Sequence, residues 1–246
     1  MEQQLISARV EDAVRLCDNS SFPKFIGFLT PTEATIAKRQ LGKLSCCYTL
    51  YGGYGAAERV YLGVFPSWCE EKESFFPITS ITFRYRDCDK LTHRDFLGAL
   101  MSLGINRETV GDILIENGRA VVFLSSDIAE FVVSQVEKIG KVGVKTQKGH
   151  IMPLPQLSIK EDISDTIASP RLDCVVAALA KCSRSTAEGL ILGSLVSVNS
   201  VCVEKTIKAV FEGDKITIRG KGKFEIVSLT DKTKKKRVIL IARKYV

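Results

Sequence analysis

In the first 79 residues the apolar positions switch between helical and strand spacing. Val10, Ala13, Val14 and Cys17 share one helical face, the recurrence that an amphipathic helix needs. Thr30-Pro31-Thr32-Glu33 sets out a second helix. Proline fits the first helical position, and a glutamate three residues after the capping threonine can reach back to its amide. Residues 45–51 and 59–65 read as strands joined through Gly52-Gly53-Tyr54-Gly55, so the block predicts a mixed α/β domain. Such a loop can cradle phosphate, but it lacks the spacing and the lysine of a nucleotide loop, and a plain turn is the better reading.

Residues 80–147 follow a second pattern. A strand at 81–85 leads to a helix at 92–103 with Phe96, Leu97, Leu100 and Met101 inward. Residues 112–116 and 119–124 form a hairpin through Asn117-Gly118, a favoured two-residue turn. A helix at 128–139 and a strand at 141–146 complete the order β-α-β-β-α-β, the ferredoxin-like arrangement. Asp95 reads as the capping-box partner of Thr92 rather than a general base, and His93 as a surface or capping residue. The sheet lacks the aromatic signature with which RNA-recognition motifs stack bases.

Residues 148–168 read as a linker, with Pro153 and Pro155 and one strand near 163–167 that has no assigned partner. From 169 a third pattern begins. Ser169 suits an N-cap and Pro170 the first helical position, and Leu172, Val175, Val176 and Leu179 recur at i, i+3, i+4 and i+7. Ser183 or Ser185 can cap a second helix that buries Ala187, Leu190 and Ile191, with Ser185 and Glu188 at capping-box spacing. Strands follow at 195–198, 215–219, 224–229 and 238–243. The fold class is α+β: domains at 1–79 and 80–147, the linker, and a C-terminal domain at 169–246.

Charge separates that last domain from the rest. The net charge is +7, yet residues 171–246 hold 16 Lys and Arg against 7 Asp and Glu, while residues 1–170 hold 19 against 21. Such asymmetry points to a polyanion engaged by the C-terminal third. No basic helix there carries the broad apolar face that a membrane surface requires. No apolar run approaches the ~20 residues that cross a bilayer, and residues 1–10 lack the apolar core of a secretory signal, so a cytoplasmic protein without a membrane partner is expected. Eight cysteines without a C-x-x-C pair, and only two histidines, argue against a disulfide framework or a zinc site. With no cofactor loop in the first 168 residues, no catalytic residue, metal or cofactor is expected.

The order Arg171-Leu172-Asp173, Ser183-Arg184-Ser185, Val196-Ser197-Val198-Asn199, Gly213-Asp214 and Arg219-Gly220-Lys221-Gly222-Lys223 resembles the S4 (αL-type) RNA-binding domain. The resemblance implies two helices forming an RNA-facing surface beside a small twisted antiparallel sheet. Ser194 and Ser200 stand where that family usually has a glycine, or a glycine or aromatic. Further motifs widen the match: Gly52-Gly53-Tyr54, Ala57-Glu58-Arg59, Phe65-Pro66, Leu91-Thr92-His93-Arg94-Asp95-Phe96-Leu97-Gly98-Ala99-Leu100 and Val110-Gly111-Asp112-Ile113. With Lys232-Thr233-Lys234-Lys235, these are similar to the YlmH family of bacterial S4-domain proteins across essentially the whole chain. Lys221 replaces the family's usual aromatic and Lys223 an arginine, which keeps charge but removes a stacking ring and a planar fork.

The resemblance implies a non-enzymatic protein of the large ribosomal subunit. It would bind structured RNA, both rRNA and peptidyl-tRNA, in the quality control of stalled nascent chains. Arg171, Lys181 and Arg184 would clamp phosphates, with Ser183 and Ser185 ordering a helix start whose unpaired amides favour anions. Arg219, Lys221 and Lys223 would extend the contact, and Lys234, Lys235, Lys236 and Arg237 would add attraction. Two other readings are a scaffold in cell division and an RNA-modifying enzyme. The enzyme reading is the weaker, since Asp173 fits a helix cap or a partner for a nearby base. The sequence leaves the oligomeric state and the exact RNA site open.

Overall fold

The computed structural model describes residues 2–44, 46–70, 73–155, 159–230 and 237–245. Residues Met1–Gln156 form one compact unit and Leu157–Val246 a second.

The first unit opens with α1 (Glu2–Ser20), β1 (Lys24–Leu29), α2 (Pro31–Leu41), β2 (Cys47–Tyr51) and β3 (Val60–Phe65), the strands paired in the order β1-β3-β2. The Thr30 cap forms as its sequence requires: Thr30 Oγ1 accepts from the Glu33 amide at 3.3 Å, and Glu33 accepts from the Thr30 amide at 2.7 Å. Val10, Ala13 and Cys17 of α1 and Ala34, Ala37 and Leu41 of α2 bury against Ile26, Leu62 and Val64. The apolar pattern does not announce β1. Its sequence Lys-Phe-Ile-Gly-Phe-Leu carries no clean alternation, because Ile26 faces the helices while Phe28 enters a second core on the other side.

Next come β4 (Ile78–Arg84), α3 (His93–Ser102), β5 (Val110–Glu116), β6 (Arg119–Ser125), α4 (Ser126–Gln135), β7 (Lys138–Ile139), β8 (Val142–Gly143) and β9 (Lys145–Lys148). The antiparallel sheet runs β5-β6-β4-β9, the strand order that a β-α-β-β-α-β succession produces. Phe96 and Leu100 of α3 and Ala129 and Val132 of α4 cover one face. Two expected bounds are corrected. The helix at 128–139 stops at Gln135, and the strand at 141–146 moves to Lys145–Lys148. Gly140, at φ 58°, closes a tight β7–β8 hairpin that turns Ile139 into the core.

The other face of this sheet lies against the N-terminal one. Phe28 and Tyr61 meet edge to face with ring centres 4.7 Å apart, and share a core with Leu114, Val121 and Phe123. Tyr54 stacks on Phe123 at 4.9 Å. The glycine-rich loop is thus a packing turn. A Cβ on Gly53, at φ 96°, would stand 2.4 Å from the Phe123 ring, and one on Gly52 2.4 Å from the Arg59 carbonyl oxygen. Asp112 fixes the loop by accepting from Tyr54 Oη at 2.8 Å, the Glu58 amide at 2.7 Å and the Arg59 amide at 3.1 Å. Arg59 donates to the Phe28 and Val110 carbonyls at 2.7 and 2.9 Å. Because the two sheets share this core, the boundaries expected at 79 and 147 both fall inside one unit.

The second unit comprises β10 (Ile159–Ile167), α5 (Leu172–Ala180), α6 (Arg184–Leu192), β11 (Val196–Val198), β12 (Val201–Cys202), β13 (Lys215–Ile218), β14 (Gly222–Thr230) and β15 (Val238–Tyr245). Its strands pair antiparallel in the order β10-β15-β14-β13-β11-β12. Part of the expected linker is therefore an edge strand: β10 pairs along β15, from Ile159↔Tyr245 to Ile167↔Val238. Leu172, Val175, Val176 and Leu179 of α5 and Ala187 and Ile191 of α6 pack on Ile216, Ile218, Phe224, Ile226, Leu240 and Ala242. On the far face Lys215, Glu225, Arg243 and Asp162 stand in one register row. Charge alternates across those four strands, the favourable cross-strand arrangement.

Candidate nucleic-acid interface

The first helix of the second unit begins two residues later than its serine and proline suggest. The N-cap position is Arg171, not Ser169. The leading amides are satisfied from a distant loop: Leu172 donates to the Lys208 carbonyl at 2.9 Å and Asp173 to that of Thr206 at 3.0 Å. The Val210 amide returns to the Pro170 carbonyl at 2.9 Å. These bonds tie the start of α5 to the 206–210 loop and keep Arg171 extended, at φ −95° and ψ 147°, which removes the serine from the helix end. Ser183 caps α6, accepting from the Thr186 amide at 3.1 Å. The capping box expected of Ser185 does not form, because Ser183 takes the cap and Ser185 lies inside the first turn, exposed; Glu188 pairs with Arg184 at 3.5 Å.

Asp173 is the centre of this region. Its side chain is fully buried, and both candidate arginines converge on it. Arg171 donates from Nε and Nη2 at 3.2 and 2.9 Å. Arg184 donates from Nε at 2.8 Å, with Nη2 at 2.6 Å from the same carboxylate. The Cys174 amide adds a bond at 3.0 Å. Burial alone would raise the Asp173 carboxyl, but the bonds from Arg184, Arg171 and the Cys174 amide outweigh it and hold the group below the usual carboxylate range. Each guanidinium spends Nε and Nη2 on the carboxylate and keeps Nη1 without a described partner. One buried acid thus fixes two planar cations at the helix starts while 38% and 53% of their side chains stay exposed.

Lys181 ends α5 in the left-handed conformation, φ 51° and ψ 51°, with its amide on the Ala177 and Ala178 carbonyls. Glycine is the usual residue there. Its ammonium is exposed and forms no ion pair with a described residue. Arg219-Gly220-Lys221 makes the β13–β14 turn, closed by Gly220 at φ 79° and by the Lys221 amide on the Ile218 carbonyl at 3.0 Å. Arg219 and Lys221 are exposed at its tip; Lys223 lies in β14 opposite Thr217 and Tyr245, on the face away from the helices. Arg237 is exposed, and its Nη2 donates to the Thr166 carbonyl at 3.1 Å, binding the start of β15 to β10. Lys234, Lys235 and Lys236 lie outside the described residues.

The structure gathers Arg171 and Arg184 on one carboxylate and distributes the other candidates between the helix ends and the sheet. Sequence reasoning missed Lys205 and Lys208, which ride the loop on the start of α5 and are exposed. Residues 203–214 carry no periodicity to mark that placement. The acids explain why the surface is cationic. Asp214 accepts from Asn199 Nδ2 at 2.7 Å and the Phe211 amide at 2.9 Å, Glu212 from the Leu229 amide at 2.7 Å, and Glu204 from Ser194 Oγ at 2.8 Å. Carboxylates are absorbed in turns and caps, whereas Lys181, Lys205, Lys208, Arg219 and Lys221 are left exposed without an ion pair to a described residue.

Among the described residues no group of three or more His, Cys, Asp or Glu is placed to hold a metal, and each cysteine is a free thiol. No described helix is long and apolar enough to cross a membrane.

Residues 72–152 match the family model described as "Putative RNA-binding domain in YlmH". The chain is 35% identical over 214 residues to "Ribosome-associated protein quality control protein P2" of Bacillus subtilis (strain 168), covering 86% of this chain and 83% of that protein. It also resembles the solved structure "Cell division protein ylmH from Streptococcus pneumoniae", with a TM-score of 0.54 and 22% identity, over 61% of this chain and 92% of that one; that likeness is one of fold. On the extent and identity of the Bacillus subtilis match, the chain belongs to the YlmH family.

Proposed function

We propose that this protein is a non-enzymatic RNA-binding protein of the large ribosomal subunit. In this reading its second unit is an S4-type module that contacts rRNA and peptidyl-tRNA during quality control of stalled nascent chains. One observation carries it: the acids described in that unit are engaged locally while Lys181, Lys205, Lys208, Arg219 and Lys221 are left facing solvent. An exposed set of this kind neutralises phosphates and releases their counterions, which is how proteins gain affinity for nucleic acid. The Bacillus subtilis relative's name supplies the ribosome and the quality-control role. Asp173, the carboxylate that an enzymatic reading needs, is buried and holds two arginines, which supports a binding role over catalysis.

Lys181→Gly tests the reading with two measurements that move oppositely. Glycine relieves the left-handed conformation, so stability is expected to rise by about 0.5–1 kcal/mol in chemical denaturation. Loss of the ammonium is expected to weaken binding to an RNA hairpin and to lower the slope of log affinity against log salt by about one. A stabilised variant with an unaltered slope removes Lys181 from the interface.

A further inference from the structure

The four-stranded sheet carries a charge arrangement that its own fold does not resolve. Glu116 of β5, Arg119 of β6, Arg84 of β4 and Lys145 of β9 are cross-strand partners in one row. Glu116 and Arg119 pair at 2.5 Å, and Arg119 spends its remaining donors on the Ile151 and Pro153 carbonyls at 3.0 and 2.6 Å. Arg84 and Lys145 are then left directly opposite one another, both exposed, neither forming an ion pair with a described residue. Like charges at facing positions oppose strand pairing. No acid relieves them in the following chain: residues 138–160 contain Lys138, Lys141, Lys145, Lys148 and Lys160 and no Asp or Glu. Lys148 is neutralised from α4 by Glu130 at 2.6 Å.

We propose that this edge, Arg84 with Lys145, is a second contact for the phosphodiester backbone of RNA. The inference rests on the RNA-binding reading and, within the region that matches the RNA-binding family model, names the two cations and the part of the RNA they meet. Beside the pair lies a depression of about 90 Å³ lined by Thr82, Arg84, Arg119, Gln147 and Gly149 among others; Thr82 Oγ1 and the Gly149 amide are spent on the Gly149 and Ser80 carbonyls, and the exposed Gln147 side chain supplies a neutral donor near the two cations. The face through which a sheet of this topology stacks bases is closed here, because Phe123 lies under Tyr54 and the N-terminal sheet covers Val121 and Leu114. Contact at the edge is therefore with phosphate, and it carries no base sequence. A membrane fits less well, since the row sits on a strand edge among Thr82 and Gln147 and not on an amphipathic helix.

The test is Arg84→Gln/Lys145→Gln in the full-length chain, read by binding to labelled RNA hairpins of two unrelated sequences across a salt series. The expected result is a slope lower by about two and equal weakening for both hairpins. Without RNA, the thermal midpoint is expected to hold or to rise by about 1–2 °C as the repulsion is removed. An unchanged slope with hairpins that the wild type binds overturns the edge contact and leaves the function reading standing. Absence of hairpin binding by the wild type, even at low salt, overturns both. Loss of binding to phosphatidylserine vesicles with hairpin affinity intact would reassign the edge to a membrane. A midpoint lowered by several degrees would show that the pair serves the fold.

Discussion

Replacing Lys181, Lys205, Lys208, Arg219 and Lys221 together by glutamine is expected to abolish most RNA affinity while the second unit stays folded. All five side chains are exposed and none pairs with a described acid, so the fold loses little when they are neutralised. Each phosphate contact contributes about 0.7–0.9 to the salt slope, so removing up to five lowers the slope by roughly four. At 0.2 M salt that corresponds to a loss on the order of a thousandfold. Affinity for a labelled RNA hairpin across a salt series reads both quantities. A loss of less than about tenfold with an unaltered slope would place the interface on another surface.

The second large effect is on stability and runs through Asp173. Arg171→Ala/Arg184→Ala leaves a fully buried carboxylate with only the Cys174 amide. An uncompensated charge of that kind costs about 3 kcal/mol. Hydrogen exchange of the α5 and α6 amides should report it as a large loss of protection in the second unit. Asp173→Asn should cost less, because the two arginines it frees already reach solvent. The acid limb gives an independent check. The folded Asp173 carboxyl lies below its unfolded value of about 3.9. Its contribution is therefore present above about pH 4 and lost as pH falls through the folded value. Asp173→Asn should flatten that part of the acid-unfolding profile; an unchanged acid limb would show that the carboxylate does not couple to folding.

This coupling marks the limit of what the sequence made legible. Arg171, Arg184 and Asp173 were each visible as types, and Asp173 as a partner for a nearby base. That both arginines share one carboxylate depends on the α5–α6 packing, eleven residues apart along the chain. Local signals read well: the Thr30–Glu33 cap and the Leu172–Leu179 stripe both depend on neighbours within a turn or two. Long-range pairings did not. The strand near 163–167 was legible, but its partner β15 lies about seventy residues on, and β1 was hidden because cores press on both of its faces. Ser169 shows local propensity overruled, since the carbonyls of Thr206 and Lys208 set the helix start instead.

The Arg184 guanidinium also shows why a contact inferred from residue type needs its geometry. A single Arg184→Ala, attractive from sequence as a phosphate probe, removes a donor to a buried acid as well as a surface charge. Lys181 and the turn residues Arg219 and Lys221 test binding without that complication. Replacing Arg237 would mix the two effects in the same way, since this exposed side chain also fastens the Thr166 carbonyl of β10.

In the proposed function, the second unit brings this protein to the large ribosomal subunit. The direct measurement is co-sedimentation of the purified full-length chain with large subunits, with and without bound peptidyl-tRNA, for the wild type and the five-cation variant. The wild type is expected to pellet with subunits, more so when peptidyl-tRNA is present, and the variant to stay in the supernatant. A wild type that remains in solution at low and physiological salt alike, or a variant that pellets as well as the wild type, would contradict it.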